Sequence, residues 1–489
     1  MKIISGVFLL LIVLLSNPRV SQSVYADQTT YDLIVIPVRF IDVTNKTTLE
    51  FLENRIFVEM NHYYQEVSFN KTRITGNILR NWVDIPKNMS YYGNYSNNNH
   101  SLGSRKLIED AIRIVDDTVD FSLYRFIMVV HVGNDEARSG NETNIWSWGW
   151  WSGLGLSTGD GAVFQQGAVV SEEDLLGMFC HEFGHVLGLP DLYNENKSAV
   201  KDFVGPWDLM GKGSWNNNGT HPSHPLSWSK IKLGWIDPTQ ILIVNNRNTI
   251  VRAEPLERLI TGIMAVKIPV VSPNVYYLIE VRKRILYDHY LPNEGVLVTL
   301  VNETKESGKG IVTVMDAMNL SRSLENATFK DSIDGNAVFL DAGIDLGVVV
   351  LKEVNNSYEI HITSFLNGKI AKEANEAIRL AQAQIDVQKD SKIEFLQFTV
   401  SKIDLSKAIE MLQKARTEFQ NREYLQSIKA ADQATFQAIA SELHLRSEER
   451  DLYFSLLIFA LMVGITLLII SRLKRRKYHR LDRVFNIEN

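Results

Sequence analysis

The first third of the chain alternates between short apolar runs and segments whose apolar residues recur at helical spacing. The β-branched run Tyr31 to Phe40 predicts a buried strand, and Phe51 to Val67 carries apolar and aromatic residues at the spacing of a helix. The same order recurs as a helix over Leu107 to Val115 and a buried strand over Phe126 to Val132. Because alternating strands and helices pack as layers, this pattern predicts an α/β (α+β) domain.

From about residue 236 to residue 365 the helical period is replaced by short alternating runs. These runs predict a β-rich second domain with strands over Ile263 to Ile268, Val275 to Val281, Gly295 to Val301 and Gly347 to Leu351.

Beyond Asn367 the chain is rich in Ala, Glu, Gln and Lys, with apolar residues at three- and four-residue steps. This pattern predicts a helical stalk, and the residues around Asn421 predict that two of its helices fold back as a hairpin. The helices either serve as a spacer or provide a surface for partner binding and self-association.

The N-terminus has the pattern of a secretory signal peptide. Lys2 precedes the apolar run Ile3 to Leu15, and the polar stretch that follows ends at Ala26, which predicts cleavage before Asp27. The alternative is an uncleaved anchor, for which thirteen apolar residues are short.

The C-terminal end contains nineteen consecutive uncharged residues, Leu452 to Ile470, followed at once by a cluster of Lys and Arg. This pattern predicts one transmembrane helix with a cytoplasmic basic tail and everything from about residue 27 to residue 450 outside. N-x-Ser/Thr acceptors between Asn45 and Asn355 agree with exposure to glycosylation, although an Asn-rich chain contains some by chance.

Composition narrows the possible functions. The 489 residues exceed one hydrophobic core, and the net charge of -6 offers no basic surface for nucleic acid. The single cysteine, Cys180, excludes an intrachain disulfide, and its position predicts a core residue rather than a ligand.

The segment MFCHEFGHVLGLPD contains candidate metal-binding and catalytic residues. Ser171 and the three acids after it predict the start of a helix that contains His181 and His185. Residues four apart share one face of a helix, so both imidazoles can bind the same Zn²⁺ ion. Glu182, one step around the helix, suits a general base that takes a proton from a metal-activated water.

Two further residues extend this motif. Gly188 can adopt the positive φ that turns the chain back, so that Asp191 approaches the metal as a third ligand. Three protein ligands leave one position open, as in catalytic rather than structural zinc sites. Asp202 or Asp208 is the alternative third ligand, with Asp191 then lying behind the site.

Several other residues near the motif are candidates for a role at the site. Met210, in WDLMGKGSW, is predicted to pack beneath the site, since a thioether is a poor zinc ligand. His221 and His224 either contact substrate or an ion, or are exposed bystanders in a polar loop. The aromatic residues Trp146, Trp148, Trp150 and Trp151 either line an apolar cleft or simply pack together.

The segments HEFGHVLGLPDLYN and VGPWDLMGKGSWNNNGTHPSHPLSWSKIKLGWIDP, with similar stretches between residues 31 and 345, resemble the immune inhibitor A-like metalloproteases. These form peptidase family M6, within the broader metzincin-like group of zinc proteases. The resemblance implies zinc at His181 and His185, Glu182 as catalytic base, and protein or peptide substrates. It leaves calcium binding open.

The sequence therefore predicts a membrane-anchored, extracytoplasmic zinc endopeptidase with a metzincin-like catalytic domain. The alternative is a surface adhesion or assembly protein that keeps the protease fold without turnover. The predicted units are a signal peptide (1–26), catalytic domain (27–235), β-rich domain (236–366), helical stalk (367–450), transmembrane helix (452–470) and basic cytoplasmic tail (471–489).

Overall fold

The structure is a computed structural model of the 489-residue chain. It describes residues 28–94, 100–196, 202–317, 323–331, 336–390, 394–395, 398–399, 404–447 and 461–472. The predicted signal peptide and nearly all of the predicted basic tail lie outside the described residues, so both stay predictions.

A six-stranded sheet forms the centre of the N-terminal region. Five strands lie in the spatial order Thr72–Ile78, Thr29–Phe40, Phe126–His131, Gly167–Ser171 and Trp148–Trp150, and Val83–Ile85 also pairs with Thr29–Phe40. All pairs are parallel except the last, in which Trp148–Trp150 runs antiparallel along the edge. The buried β-branched runs suit parallel strands covered on both faces, and the predicted mixed α/β architecture is confirmed.

Helices cover both faces of this sheet. On one face, residues 49–67 form a continuous helical segment that begins where the Thr48 side chain accepts the N–H of Phe51. On the other face lies His100–Val115, whose apolar residues belong to a separate core cluster. The helices and helical turns of this region are Leu49–Glu53, Asn54–Met60, Asn61–Val67, Ser90–Gly93, His100–Val115, Phe121–Leu123, Glu136–Ser139, Leu176–Val186, Gly205–Trp207, Lys212–Trp215, Asn216–Gly219 and Ser227–Lys232. Two short strands, Leu156–Ser157 and Val163–Phe164, pair with each other.

The β-rich region consists of two sheets packed face to face. The five-stranded sheet has the order Val312–Val314, Gly295–Asn302, Val275–Arg282, Ala265–Ser272 and Ile241–Ile243. The four-stranded sheet has the order Asn248–Ala253, Ser357–Thr363, Leu346–Val354 and Val338–Asp341. Helical turns at Pro238–Gln240, Leu286–Tyr290 and Ala342–Ile344 complete the region.

The five-stranded sheet joins the two regions because successive side chains of a strand point to opposite faces. Tyr277 and Ile279 belong to the core shared with the four-stranded sheet. Their neighbours Tyr276 and Leu278 belong instead to the core that contains Phe183 of the N-terminal region. The two regions therefore share a continuous hydrophobic core.

A cluster of buried charges lies at this junction. The Arg282 guanidinium is fully buried and contacts the carboxylates of Asp288 at 2.6 Å, Glu257 at 3.3 Å and Glu280 at 3.4 Å. It also donates to the carbonyl oxygens of Trp207 and His224, so all three of its nitrogens have acceptors.

The C-terminal helices pack against the β-rich region. Phe365–Asp390, Ser406–Gln420 and Tyr424–Ser447 bury small and apolar side chains against one another and against the outer face of the four-stranded sheet. The last two helices fold back at Asn421 and Arg422, where Arg422 has a φ of 67°. A short strand pair, Glu394–Phe395 and Phe398–Thr399, lies before them. A stalk function and self-association through these helices stay predictions.

The predicted membrane anchor needs correction. Part of Leu452 to Ile470 lies outside the described residues. Among the described residues, no helix is both long enough and apolar enough to cross a bilayer. This finding contradicts the predicted single-pass localisation.

Candidate metal centre

The helix that carries the histidine motif extends from Leu176 to Val186. The sequence predicted its start at Ser171, but Ser171 ends the preceding strand. The Glu172 carboxylate accepts the N–H groups of Lys46 and Thr47, and the Asp174 carboxylate accepts the N–H of Ser171. These acids therefore hold a turn between strand and helix instead of forming the first helical turn.

His181 and His185 lie one turn apart on this helix and are both buried. The Nδ1 atom of His181 lies 3.0 Å from the Leu209 carbonyl oxygen, and that of His185 lies 2.7 Å from the Leu189 carbonyl oxygen. A carbonyl partner fixes the proton on Nδ1 and leaves Nε2 with a free lone pair. Both rings are thus held in the tautomer that suits a metal ligand.

The chain turns back after the helix and brings Asp191 to the two histidines. The turn passes through Gly188, whose φ of +102° is accessible to glycine at little cost. The Oδ1 atom of Asp191 lies 3.2 Å from Nε2 of His181 and 3.3 Å from Nε2 of His185. Although burial opposes the charge, the neighbouring His185 holds the pKa of Asp191 well below its usual range.

These three side chains have the features expected of a metal site. Their candidate ligand atoms all lie within 4.8 Å of one another. Asp191 Oδ1 is buried and accepts no well-aligned hydrogen bond from the residues that the structure describes. A buried carboxylate oxygen facing two imidazole lone pairs is costly unless a cation lies between them. The donor set therefore fits a divalent metal ion.

The alternative ligands Asp202 and Asp208 are engaged elsewhere. Asp202 accepts the N–H groups of Asn194 and Phe203. Asp208 is fully buried and accepts the N–H of Met210 at 2.6 Å. Each carboxylate stabilises a turn of the loop, whereas Asp191 alone of the three lies beside the histidines.

Met210 packs beneath the histidine helix. A Cβ atom added at Gly184 would lie 2.6 Å from the Met210 sulfur, so glycine at this position allows the close approach. The Met210 carbonyl also accepts the N–H of Leu192, which ties the segment after Asp191 to the same loop.

Glu182 lines a cleft of about 600 Å³ next to the three candidate ligands. Burial raises the pKa of Glu182 to about 8, although the neighbouring His181 opposes this shift. Other residues lining the cleft include Trp146, Met178, His181, Tyr193 and Trp215. The cleft also contains polar and charged side chains, among them Asp135, Asn194, Asp202 and Lys212, so it offers both aromatic and polar surfaces to a ligand.

The edge strand Trp148–Trp150 lies directly against the histidine helix. A Cβ atom at Gly149 would approach the Glu182 carbonyl oxygen to 2.4 Å, so glycine permits this contact. Among the described residues, the strand pairs with Gly167–Ser171 on one side and forms the edge of the sheet on the other.

The remaining candidates divide between core, cleft and surface. Cys180 is fully buried in the core, as predicted. His221 is partly exposed and contacts Asn217 and Thr220. His224 was predicted to be an exposed bystander, but it is fully buried, because it bridges Glu66 and Lys230 in the junction. Of the four tryptophans, Trp146 lines the cleft, whereas Trp151 lines a separate cavity.

Two residues near the site were missed by sequence reasoning. The Tyr193 ring stacks on His181 with 6.2 Å between ring centroids, and burial, followed by the charge of Asp191, raises the pKa of Tyr193. The position of Tyr193, two residues after Asp191, could have indicated that it lies near the site. Ser307, whose Oγ accepts the N–H of Asp191, lies more than a hundred residues away and had no local signal.

Comparison with known proteins agrees with this geometry. Residues 39–144 and 124–236 match the family described as immune inhibitor A peptidase M6, catalytic domain. The chain is 26% identical over 234 residues to the pre-pro-metalloprotease PrtV of Vibrio cholerae, covering 38% of this chain and 25% of that protein. It is 25% identical over 204 residues to immune inhibitor A of Bacillus thuringiensis subsp. alesti, covering 33% of this chain and 29% of the relative.

A shorter match, 35% identical over 75 residues, is to a putative secreted metallopeptidase of Arthroderma benhamiae and covers 15% of this chain and 10% of that protein. The chain thus spans about a quarter of the length of the first relatives it matches. The family match covers five of the six strands of the sheet in full, the histidine helix and the loop through Met210. The segment 39–236 is therefore similar to the catalytic domain of peptidase family M6, the immune inhibitor A family of metallopeptidases.

Proposed function

We propose that this protein is a zinc-dependent endopeptidase in which His181, His185 and Asp191 hold the metal and Glu182 is the general base. The observation that carries the proposal is the convergence of three ligand atoms within 4.8 Å beside a cleft that Glu182 also lines. The matched family and the metalloprotease relatives support it.

The donor set favours zinc over calcium. Two imidazole nitrogens and one carboxylate oxygen are typical ligands of catalytic Zn²⁺, whereas Ca²⁺ takes six to eight oxygen ligands. Zn²⁺ bound here would act as a Lewis acid toward a peptide carbonyl and would make water a better nucleophile.

Protein groups other than the metal ligands would provide proton transfer and substrate binding. Glu182 follows His181 on the helix and lines the same cleft. A cation held by the three ligands would favour the ionised form of this carboxyl, which would then accept a proton from the attacking water. It can then give that proton to the departing amine. The free edge of Trp148–Trp150 can pair with an extended peptide and hold its scissile bond over the helix.

Cleavage of an unstructured protein tests this proposal. The purified full chain, loaded with zinc, is compared with Glu182→Gln, which keeps the shape of the side chain but cannot act as a base. We expect activity to fall by about 10²- to 10⁴-fold, the usual contribution of general acid-base catalysis, while zinc content stays the same. Glu109→Gln, on the surface of His100–Val115, is the matched control and should retain full activity.

Two results would contradict the proposal. Equal cleavage by Glu182→Gln and the parent would remove Glu182 from the mechanism. Zinc binding by the parent without any cleavage would favour the non-catalytic adhesion or assembly protein.

A further inference from the structure

We propose that the loop 303–311 of the β-rich region is part of the metal site, with Ser307 and Gly308 positioning Asp191 as the third ligand. This inference rests on the proposed function in taking Asp191 as a metal ligand. It assigns positioning residues to a region that lies outside the matched catalytic segment 39–236.

Two hydrogen bonds connect this loop to the backbone of Asp191. The Asp191 N–H donates to Oγ of Ser307 at 2.9 Å, and the Gly308 N–H donates to the Asp191 carbonyl oxygen, also at 2.9 Å. The backbone N–H and the backbone carbonyl of Asp191 are therefore both hydrogen-bonded to the same loop. The next residue, Leu192, donates its N–H to Met210. Asp191 is thus fixed between the loop and the turn beneath the histidine helix.

The loop continues along the segment after Asp191. The Glu195 N–H donates to the Gly308 carbonyl oxygen at 3.4 Å, and the Glu195 carboxylate pairs with Lys309 at 2.7 Å. This ion pair is exposed and contributes little by itself. Further along, the Val314 N–H donates to the carbonyl oxygen of Phe203.

The loop has an internal structure that can impose a position on Asp191. It connects the paired strands Gly295–Asn302 and Val312–Val314, and the Asn302 N–H donates to the Ile311 carbonyl oxygen at its base. The Asn302 side chain accepts both the N–H and the hydroxyl of Thr304. Because these bonds fix the loop to its own sheet, we infer that the loop acts as support and Asp191 as the supported residue.

Gly308 is adapted to this contact. Its φ is +65°, and a Cβ atom there would lie 2.2 to 2.3 Å from side-chain atoms of Glu195. An alanine at this position would require the Glu195 side chain to move, and its positive φ would strain the backbone whose N–H donates to Asp191.

The arrangement makes the metal site depend on both regions of the chain. The two histidines belong to the N-terminal region, but the position of Asp191 depends on a loop of the β-rich sheet. The ligand set is therefore complete only when both regions have folded against each other, which delays tight metal binding until the chain is fully folded.

Zinc affinity of the full chain, measured by competition with a chelator and without substrate, tests this inference. Ser307→Ala removes the acceptor, and we expect the zinc dissociation constant to rise about 10-fold, at the lower end of the loss seen when a group behind a metal ligand is removed. Ser307→Thr keeps the hydroxyl and should restore the parent value. Thr304→Ala is the matched control, because it removes a hydroxyl bond within the same loop without touching Asp191.

A second pair of variants distinguishes the effect of a side chain in the contact between Gly308 and Glu195 from the strain of a positive φ. Gly140 has a φ of +67° with no atom within 4 Å of an added Cβ, so Gly140→Ala carries the backbone cost without the contact. We expect Gly308→Ala to weaken zinc binding and alter the visible spectrum of the Co²⁺-substituted protein, and Gly140→Ala to do neither. This pair decides the question if Ser307→Ala does not fold.

The outcomes distinguish this inference from the proposed function. If Ser307→Ala and Gly308→Ala both bind zinc as tightly as their controls while the parent cleaves protein, the positioning role is overturned and the proposed function stands. If the parent binds zinc without cleaving, and the variants bind it more weakly than their controls, the positioning role stands and the endopeptidase proposal fails.

Discussion

Two of the buried clusters of ionisable side chains among the described residues differ in whether they contain cations of their own. In the junction cluster, Arg282 contacts three carboxylates, and Lys230 contacts His224 and the Leu256 carbonyl oxygen. In the metal cluster, the Nε2 atoms of His181 and His185 converge on Asp191, whose Oδ1 accepts no well-aligned hydrogen bond among the described residues.

The difference shows why one cluster fits a metal site and the other is structural. The junction cluster contains its own cations, Arg282 and Lys230, which offset part of the charge of its acids, although Glu257 Oε2 also lacks a hydrogen-bond partner among the described residues. The metal cluster gathers nitrogen and oxygen lone pairs and borders a cleft of about 600 Å³. A group of buried ionisable residues indicates a binding site when it is accessible and lacks a charge that a ligand can supply.

The largest expected effect is the loss of stability on breaking the junction cluster. Arg282→Met leaves buried carboxylates without their cation, and the free energy of unfolding should fall by about 3 to 5 kcal/mol. Arg252→Met is the control, because the Arg252 side chain is 45% exposed and the loss of its ion pair with Glu254 should change stability by about 1 kcal/mol or less. Denaturant unfolding of both variants measures this, and equal losses would contradict the structural interpretation of the junction.

The next largest effect is a loss of zinc affinity when the metal cluster is changed. Asp191→Asn removes the anionic ligand, and we expect zinc affinity to fall at least about 100-fold, or about 2.7 kcal/mol. Asp202→Asn changes a buried acid that holds a nearby turn and should leave zinc affinity within about 3-fold of the parent. Chelator competition compares the two, and the opposite order would make Asp202 the ligand.

A smaller effect is expected from crowding beneath the histidine helix. Gly184→Ala places a methyl group 2.6 Å from the Met210 sulfur. Overpacking of this kind typically costs about 1 to 3 kcal/mol. Because Met210 is a flexible side chain, Gly184→Ala combined with Met210→Leu should recover part of the loss. Thermal unfolding without metal gives both values, and an unchanged melting temperature in Gly184→Ala would refute this packing.

The last effect is a change in the pH dependence of stability, which accumulates over several pH units. Burial, followed by the charge of Asp135, raises the pKa of Asp174 to about 8 from 3.8. A carboxyl whose pKa is raised by folding binds more protons in the folded state between these values, so its contribution to stability declines as pH rises from about 4 to 8.

Asp174→Asn keeps an oxygen acceptor for Ser171 and Ser147 but cannot titrate. The parent should therefore lose stability relative to the variant by at most about 1.4 kcal/mol per pH unit over this range. Parallel slopes for the two proteins in unfolding experiments from pH 5 to pH 8 would show that Asp174 does not titrate as described.

The predictable parts of the molecule are those specified by local spacing. His181 and His185 share a helix face because they are four apart, and Gly188 permits the turn that returns Asp191 to them. The buried strands of the first sheet likewise follow from their continuous β-branched runs.

The other parts depend on contacts between distant residues. The acids after Ser171 favour a helix start locally, but Glu172 binds backbone groups of the loop at Lys46 and Thr47. His224 lies in a polar loop, yet packing places it between Glu66 and Lys230. No local pattern could reveal such contacts.

The most direct test of this account is to locate bound metal in crystals of the zinc-loaded full chain by anomalous scattering at the zinc edge. The account predicts one ion about 2.0 to 2.2 Å from Nε2 of His181, Nε2 of His185 and a carboxylate oxygen of Asp191. An ion bound at Asp202 or Asp208 without Asp191, or the absence of an ion between the two histidines, would contradict it.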